Sequence, residues 1–469
     1  MGKPEPEEWL HRDILYPESA GESRRTNGAH GPDIMNAILW IYNLLFPLAL
    51  LLAAPWWLLR MLTTARYREG MMQRMGWVPA RFHLPADVRP VIWVHAVSVG
   101  EILAALKLIQ QLDVALPEMR IVVSTTTRTG QQLALARLGA ERVFYCPLDL
   151  AWSTRAWLQA LQPRMLVLME TEFWPGILGA CFRRNIPVVV ANARISDRSW
   201  PRYQRLRKLW QPFLRRLRFV WAQSDLDAER LRALGCRQAQ AIGNLKYDLS
   251  VERDAAIVHC LRWLAPQLRW LVAGSTLDGE EQLLLNAWKQ LAQTHSDIAL
   301  LLAPRHPERF AVVGRLLNSS GIRWRKRSEI AADSEAIQPG EIVLLDTIGE
   351  LASAYSLATA AFVGGSLLPS GGHNPLEAAF HAVPVVMGSY CENFRAIVDE
   401  LRKENAIVIP DANSDEELCR CLEKLFVDAE FARATGQRAR QVLNRHSGAT
   451  ARTVAMLCAE LRSKQEASS

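Results

Sequence analysis

The stretch AFVGGSLLPSGGHNPLEAAF, residues 361–380, decides how the rest of the chain is read. An apolar run from Ala360 to Val363 ends in Gly364-Gly365 and reads as a buried strand entering a turn. A loop with Gly371 and Gly372 follows. Asn374 is then placed to cap a helix, with Pro375 at its first position and Glu377 at its third. Strand, glycine loop and abruptly started helix predict free backbone N–H groups converging on one place, and such a place binds anions, phosphates above all. The same residues also fit a plain α/β turn in which Asn374 and Glu377 form only a capping box.

Outward from that stretch, short apolar runs alternate with helix-like segments. The runs are Trp270 to Ala273, Ile298 to Ala303, Ile342 to Leu345, Ala360 to Val363 and Pro384 to Met387. An earlier set holds Val91 to Val97, Ile121 to Ser124, Leu166 to Met169, Val188 to Ala191 and Val220 to Ala222. Such alternation implies parallel sheets with right-handed crossovers. A polar break at Asn244 to Asp254 separates the sets, so the chain reads as two Rossmann-like halves whose facing strand ends enclose a cleft. The expected divisions are a polar, disordered tail over 1–33, a membrane anchor over 34–60, and domains over 61–248 and 249–469.

The anchor rests on one segment. Ile34 to Leu59 carries no charge, and its 26 residues at about 1.5 Å each are long enough to cross a hydrocarbon core of about 30 Å. Trp40 and Trp56-Trp57 suit interfacial belts, while Pro47 and Pro55 weaken a straight span and leave a monotopic anchor open. Arg60, Arg66, Arg68, Arg74 and Arg81 follow it and place the bulk of the protein in the cytoplasm. A net charge of +7 points to an acidic partner. The eight cysteines form no CxxC pair and read as reduced thiols.

Several polar residues stand where strands end. Ser98 and Glu101 fit a capping box, or Glu101 is a general base at the cleft mouth. There the helix N-terminus would lower its pKa and desolvation would raise it. Glu170 and Glu172 follow another strand end and either cap the next helix or meet an acceptor's hydroxyls. Arg183 to Arg218 is rich in arginine, Arg194 included, with Trp200, Trp210 and Phe213 interleaved. It reads as a solvated face, a dock for anionic lipid or a grip on acceptor phosphates. In the second half, Ser275, Pro304-Arg305, Ile348-Gly349-Glu350 and the opening stretch supply four polar loops. No RNP or KH pattern supports nucleic-acid binding, and no GxGxxG supports a dehydrogenase.

Seven motifs carry a resemblance: WVHAVSVGE (93–101), ETEFWP (170–175), NARIS (192–196), GST…GEE (274–281), PRHPERF (304–310), DTIGEL (346–351) and GGSLLPSGGHNPLEA (364–378). In this order the chain resembles the 3-deoxy-D-manno-octulosonic acid (Kdo) transferases of lipopolysaccharide synthesis. The resemblance implies an inverting GT-B glycosyltransferase on the cytoplasmic face of the inner membrane, with CMP-Kdo as donor, lipid IVA as acceptor, and no cofactor or metal. It implies Glu101 as base and a CMP site from Pro304, Arg305, Ile348, Gly349, Glu350, Asn374, Pro375, Leu376 and Glu377. Two residues depart from the pattern: Leu277 stands in place of a His, and Gly176 in place of an Asn. The competing readings are a GT-B enzyme using a UDP-sugar and a catalytically inactive, membrane-tethered lipid-binding protein.

Overall fold

A computed structural model of the chain describes residues 31–63, 69–83, 88–249, 251, 255–331 and 333–466. The first sheet holds β1 (Val91–His95), β2 (Arg120–Thr125), β3 (Val143–Tyr145), β4 (Pro163–Met169), β5 (Val188–Ala193), β6 (Phe219–Ala222) and β7 (Ala239–Ala241). Its order is β3-β2-β1-β4-β5-β6-β7, all parallel. The second holds β8 (Arg269–Thr276), β9 (Ile298–Pro304), β10 (Trp324–Lys326), β11 (Ile342–Leu344), β12 (Ala358–Val363) and β13 (Val385–Met387). They run β10-β11-β9-β8-β12-β13, again all parallel. Helices cover both faces, which is why the central strands are continuous apolar runs rather than alternating ones. The chain thus has the two α/β units expected of the GT-B fold.

Each expected strand is present. Three more, β3, β7 and β10, are three-residue strands at sheet edges. Ala-Gln-Ala and Trp-Arg-Lys carry no apolar run to betray a strand, and Val-Phe-Tyr, though buried, is only three residues long.

Each sheet is packed on both faces. Trp93, Phe144, Trp157 and Phe213 lie under one face of the first sheet, and Ile92, Ile102, Leu108 and Trp221 under the other. The last helix, Ala449–Glu466, adds Val454, Leu457 and Leu461 to that second layer, although it follows the second sheet in sequence. Arg218 fixes it by two bonds to Glu460, at 2.8 and 2.9 Å, and Asp248 accepts from Gly448 N and Thr450 N at 2.5 Å. The expected second domain, 249–469, therefore gives up its final helix to the first. The helix's apolar stripe shows in the sequence; which sheet it covers does not.

At the front of the chain, Gly31–Thr63 is one helix through Pro47 and Pro55. It starts three residues before the expected anchor, because Pro32 and Asp33 suit a first helical turn. Of the disordered tail expected over 1–33, residues 31–33 belong to this helix instead, and 1–30 lie outside the described residues. Within this helix Ile34–Trp56 is long and apolar enough to cross a membrane, by length and composition. Among its described side chains, Met35 and Leu39 alone are buried, both in the first domain's core.

Candidate active site

In each sheet the strand order reverses at the first strand: between β1 and β4, and between β8 and β12. Ligands of such sheets settle beyond the strand carboxyl ends at that reversal. Beyond β1, Glu101 is the third residue of the Val99–Ala115 helix. The expected capping box forms. Ser98 Oγ accepts from Glu101 N at 3.5 Å and donates to Oε1 at 2.8 Å, and Val97 N donates to Oε2 at 2.9 Å. Glu101 is only 7% exposed, and burial pushes its carboxyl up to about 7. The Val97 and Ser98 bonds pull the other way, while Glu170 and Glu172 add to the rise. Desolvation wins over the helix terminus, and the capping carboxyl is poised near neutrality.

Glu170 is the first residue after β4 and takes a left-handed backbone, φ 57°. Its Oε1 lies 3.5 Å from Lys246 Nζ. Burial raises the Glu172 carboxyl above its ordinary range, more than the 3.2 Å bond from Trp174 Nε1 lowers it. Arg194, directly after β5, is half-buried, and its carbonyl accepts from Thr171 Oγ1 at 2.5 Å. Glu170, Glu172 and Arg194 thus belong to one loop cluster beside Glu101.

At the second reversal the ends of β8 and β12 touch. A Cβ on Gly364 would lie 2.5 Å from the Ser275 carbonyl oxygen, so only glycine fits there. The expectation of free amides in this turn needs correction. Glu280 is fully buried and accepts from Gly365, Ser366 and Leu367 N at 2.6, 2.8 and 2.9 Å, and from Leu277 N at 2.9 Å. The protein thus supplies its own acceptor for these amides. The helix, Leu376–Phe380, starts one residue later than expected, with Pro375 rather than Asn374 at its cap. Asn374 Oδ1 makes an Asx turn, accepting from Leu376 N at 3.1 Å.

The remaining loops divide. Glu377 feels Arg305, which pulls its carboxyl down against a larger upward push from burial. Arg305 is exposed just past β9, and its backbone N–H reaches Thr276 O at 3.0 Å. Beside it His373 is held neutral, its imidazole lowered to about 4 by burial and then by Arg305 and His306. Glu350, in contrast, is committed to Arg327 at 3.1 Å and to the Thr347 hydroxyl. Of that loop, Ile348, 80% exposed, and the open backbone at Gly349, φ 95°, stand free for a ligand.

A residue that sequence reading missed joins the two reversals. Lys246 pairs with Glu170 and lies 5.7 Å from the Phe394 ring of the second unit. Asn393, next to Phe394, donates its N–H to Gly371 O at 2.9 Å. Glu101, the Glu170 loop, Lys246 and the 361–380 stretch therefore form one continuous set. A lone Lys in the polar break between domains gave no signal of this.

Residues 69–249 match the family described as 3-deoxy-D-manno-octulosonic-acid transferase (kdotransferase). The 3-deoxy-D-manno-octulosonic acid transferase of Haemophilus influenzae is 35% identical over 401 residues, covering 84% of this chain and 91% of that protein. The one from Bordetella pertussis is 32% identical over 425 residues, 87% of this chain and 97% of its own. This chain belongs to the Kdo transferase family. It is a glycosyltransferase. Among solved structures, a glycosyltransferase from Rickettsia africae shares the fold, with a TM-score of 0.52 and 11% identity over 80% of this chain and 98% of that one. The C-terminal CMP-Kdo binding domain of WaaA from Acinetobacter baumannii is 30% identical, with a TM-score of 0.37, over 40% of this chain and 97% of that one.

Within this Kdo transferase one departure from the pattern has a local cause. Asp149 caps the Pro175–Arg183 helix from a distance, accepting from Gly176 N at 2.7 Å and Ile177 N at 2.6 Å. A Cβ at Gly176 would sit 2.6 Å from Asp149 Oδ1, so an Asn would collide. Leu277 gives its amide to Glu280, and nothing in the structure explains its side chain. The basic stretch is also revised. Phe213 is buried and Trp210 half-buried against Phe173 and Tyr203, Arg216 stacks on Phe182, and Arg218 holds Glu460. Its aromatics serve the core, leaving Arg202, Arg205, Arg207 and Lys208 with Leu206 and Leu209 on the surface.

Proposed function

We propose that this enzyme moves Kdo from CMP-Kdo to a glucosamine hydroxyl of lipid IVA in lipopolysaccharide synthesis. The observation that carries the reading is a buried carboxyl near pKa 7, Glu101, linked through Glu170 and Lys246 to the polar loops of the second sheet. Glu101 takes the proton from the acceptor hydroxyl. The oxygen attacks the anomeric carbon of Kdo as the bond to the CMP phosphate oxygen breaks on the opposite face, inverting that centre. Arg305 meets the charge gained by the leaving phosphate. Ser275, Pro304 and the Asn374-Pro375-Leu376 turn shape the donor pocket, Ile348 and Gly349 lie against the nucleotide, and Glu377 holds ribose hydroxyls. Glu350 acts on the donor only indirectly, by fixing its loop through Arg327. Glu170, Glu172 and Arg194 receive the acceptor.

The apolar N-terminal helix and the basic surface around Arg202 hold the catalytic units at the cytoplasmic face of the inner membrane. Membranes containing the protein, incubated with CMP-Kdo and lipid IVA, are expected to yield a product heavier by whole Kdo units. Transfer from a UDP-sugar but not from CMP-Kdo would replace this reading with its GT-B rival. No transfer from either, with CMP-Kdo still bound, would favour an inactive lipid-binding protein.

A further inference from the structure

The chain meets the catalytic unit near the start of the anchoring helix and again just past it. Near its start Met35 and Leu39 are buried in the first core, with Leu39 against Gly179, where an added Cβ would lie 2.5 Å from Leu39 Cδ1. One turn later Tyr42 lies close enough to Asp149, the residue that caps the Pro175–Arg183 helix, for that carboxylate to act on its hydroxyl. Past the helix the chain is on the same unit again by Glu69. That carboxylate accepts from Tyr145 Oη at 2.9 Å and pairs with Arg128 at 2.9 Å. Gln73 then bonds Tyr145 N at 2.8 Å, and Ser153 Oγ bonds Arg74 O at 2.7 Å.

These fixed points exclude both ways of crossing a bilayer. With the helix start outside the cell, Met35, Leu39 and Tyr42 would lie across the membrane from the domain that buries them. With the start inside, Thr63 would reach the far face and Glu69 would have to be back on the near one. The six Cα steps from Thr63 to Glu69 reach at most about 22 Å, less than a hydrocarbon core of about 30 Å.

We infer that the Gly31–Thr63 helix is monotopic: it lies in one leaflet of the membrane, and the chain before it stays on the same side as the catalytic units. Beyond Tyr42 the helix offers Leu44, Leu45, Leu48, Leu51, Leu52 and Trp56 to the acyl chains. Where the chain returns, Trp77 and Trp152 are exposed as well, 67% and 53%. These two flank the close contact of Gly76 with Ser153 and suit the interfacial level. Because Tyr42 meets Asp149, the leaflet is tied to the helix that follows Glu170 and Glu172. A lipid lying in that leaflet then has its head group close to the acceptor loop.

The inference rests on membrane anchoring but not on the reaction, and its test reads topology alone. Ser19→Cys and Ser468→Cys are made separately in the full chain, with Cys260 and Cys421 changed to Ser. Each variant is treated with a membrane-impermeant maleimide in spheroplasts and in inverted inner-membrane vesicles. Both positions are expected to label from the same side, in inverted vesicles only, while the protein resists carbonate extraction. Labelling of Ser19→Cys in spheroplasts, where Ser468→Cys stays silent, would overturn it. Release of the protein by carbonate would overturn its premise.

Discussion

At the scale of one residue, Glu101 sets a pH dependence with a definite sign. Its carboxyl titrates near 7 in the fold and at 4.5 ordinarily. Turnover is therefore expected to fall about tenfold per unit as pH drops below the folded pKa, because the base is then protonated. Stability runs the other way. Between the two pKa values the folded state holds a proton that the unfolded chain has lost, so stability falls as pH rises through that window. Glu101→Gln removes this loss and keeps an acceptor for Val97 N–H. Urea unfolding at pH 8 should find the variant more stable by up to about 3 kcal/mol, with the difference gone by pH 4. A difference that does not change with pH would contradict the shift. The sequence placed Glu101 at a strand end and left cap and base as alternatives. Burial, which raises its carboxyl, comes from chain segments far away in sequence.

At the scale of the element, the glycine turn after β12 depends on a carboxylate from another helix. Glu280→Ala leaves three amides of that turn and that of Leu277 without their acceptor. It should cost about 3 kcal/mol or more in urea unfolding. A loss under about 1 kcal/mol would show that water replaces the carboxylate readily. Gly176 and Asp149 make a second such pair. Gly176→Asn should cost about 1–3 kcal/mol, and its loss should be partly relieved when Asp149→Ala is added, a coupling that additive effects would disprove. The apolar runs exposed ten strands to sequence reading, and glycine pairs marked their turns. The orientation of the turn amides was not legible, because an acidic pair at 280–281 looks the same whether it faces water or the amides of a loop 85 residues away.

At the scale of the whole molecule, the two units are tied by the final helix and by Lys246. Arg218→Ala strands the Glu460 carboxylate, whose side chain is 4% exposed, and should lower stability by about 2–3 kcal/mol. A change within about 0.5 kcal/mol would mean that the pair behaves as an ordinary surface bridge. On the proposed function, what the tie secures is the meeting of a proton acceptor on the first sheet with a donor site on the second. The most direct test of that meeting is the turnover of Glu101→Gln on lipid IVA at saturating CMP-Kdo, with donor affinity measured on the same sample. The account predicts a loss of at least about 100-fold in turnover with CMP-Kdo affinity unchanged; near-wild-type turnover would contradict it.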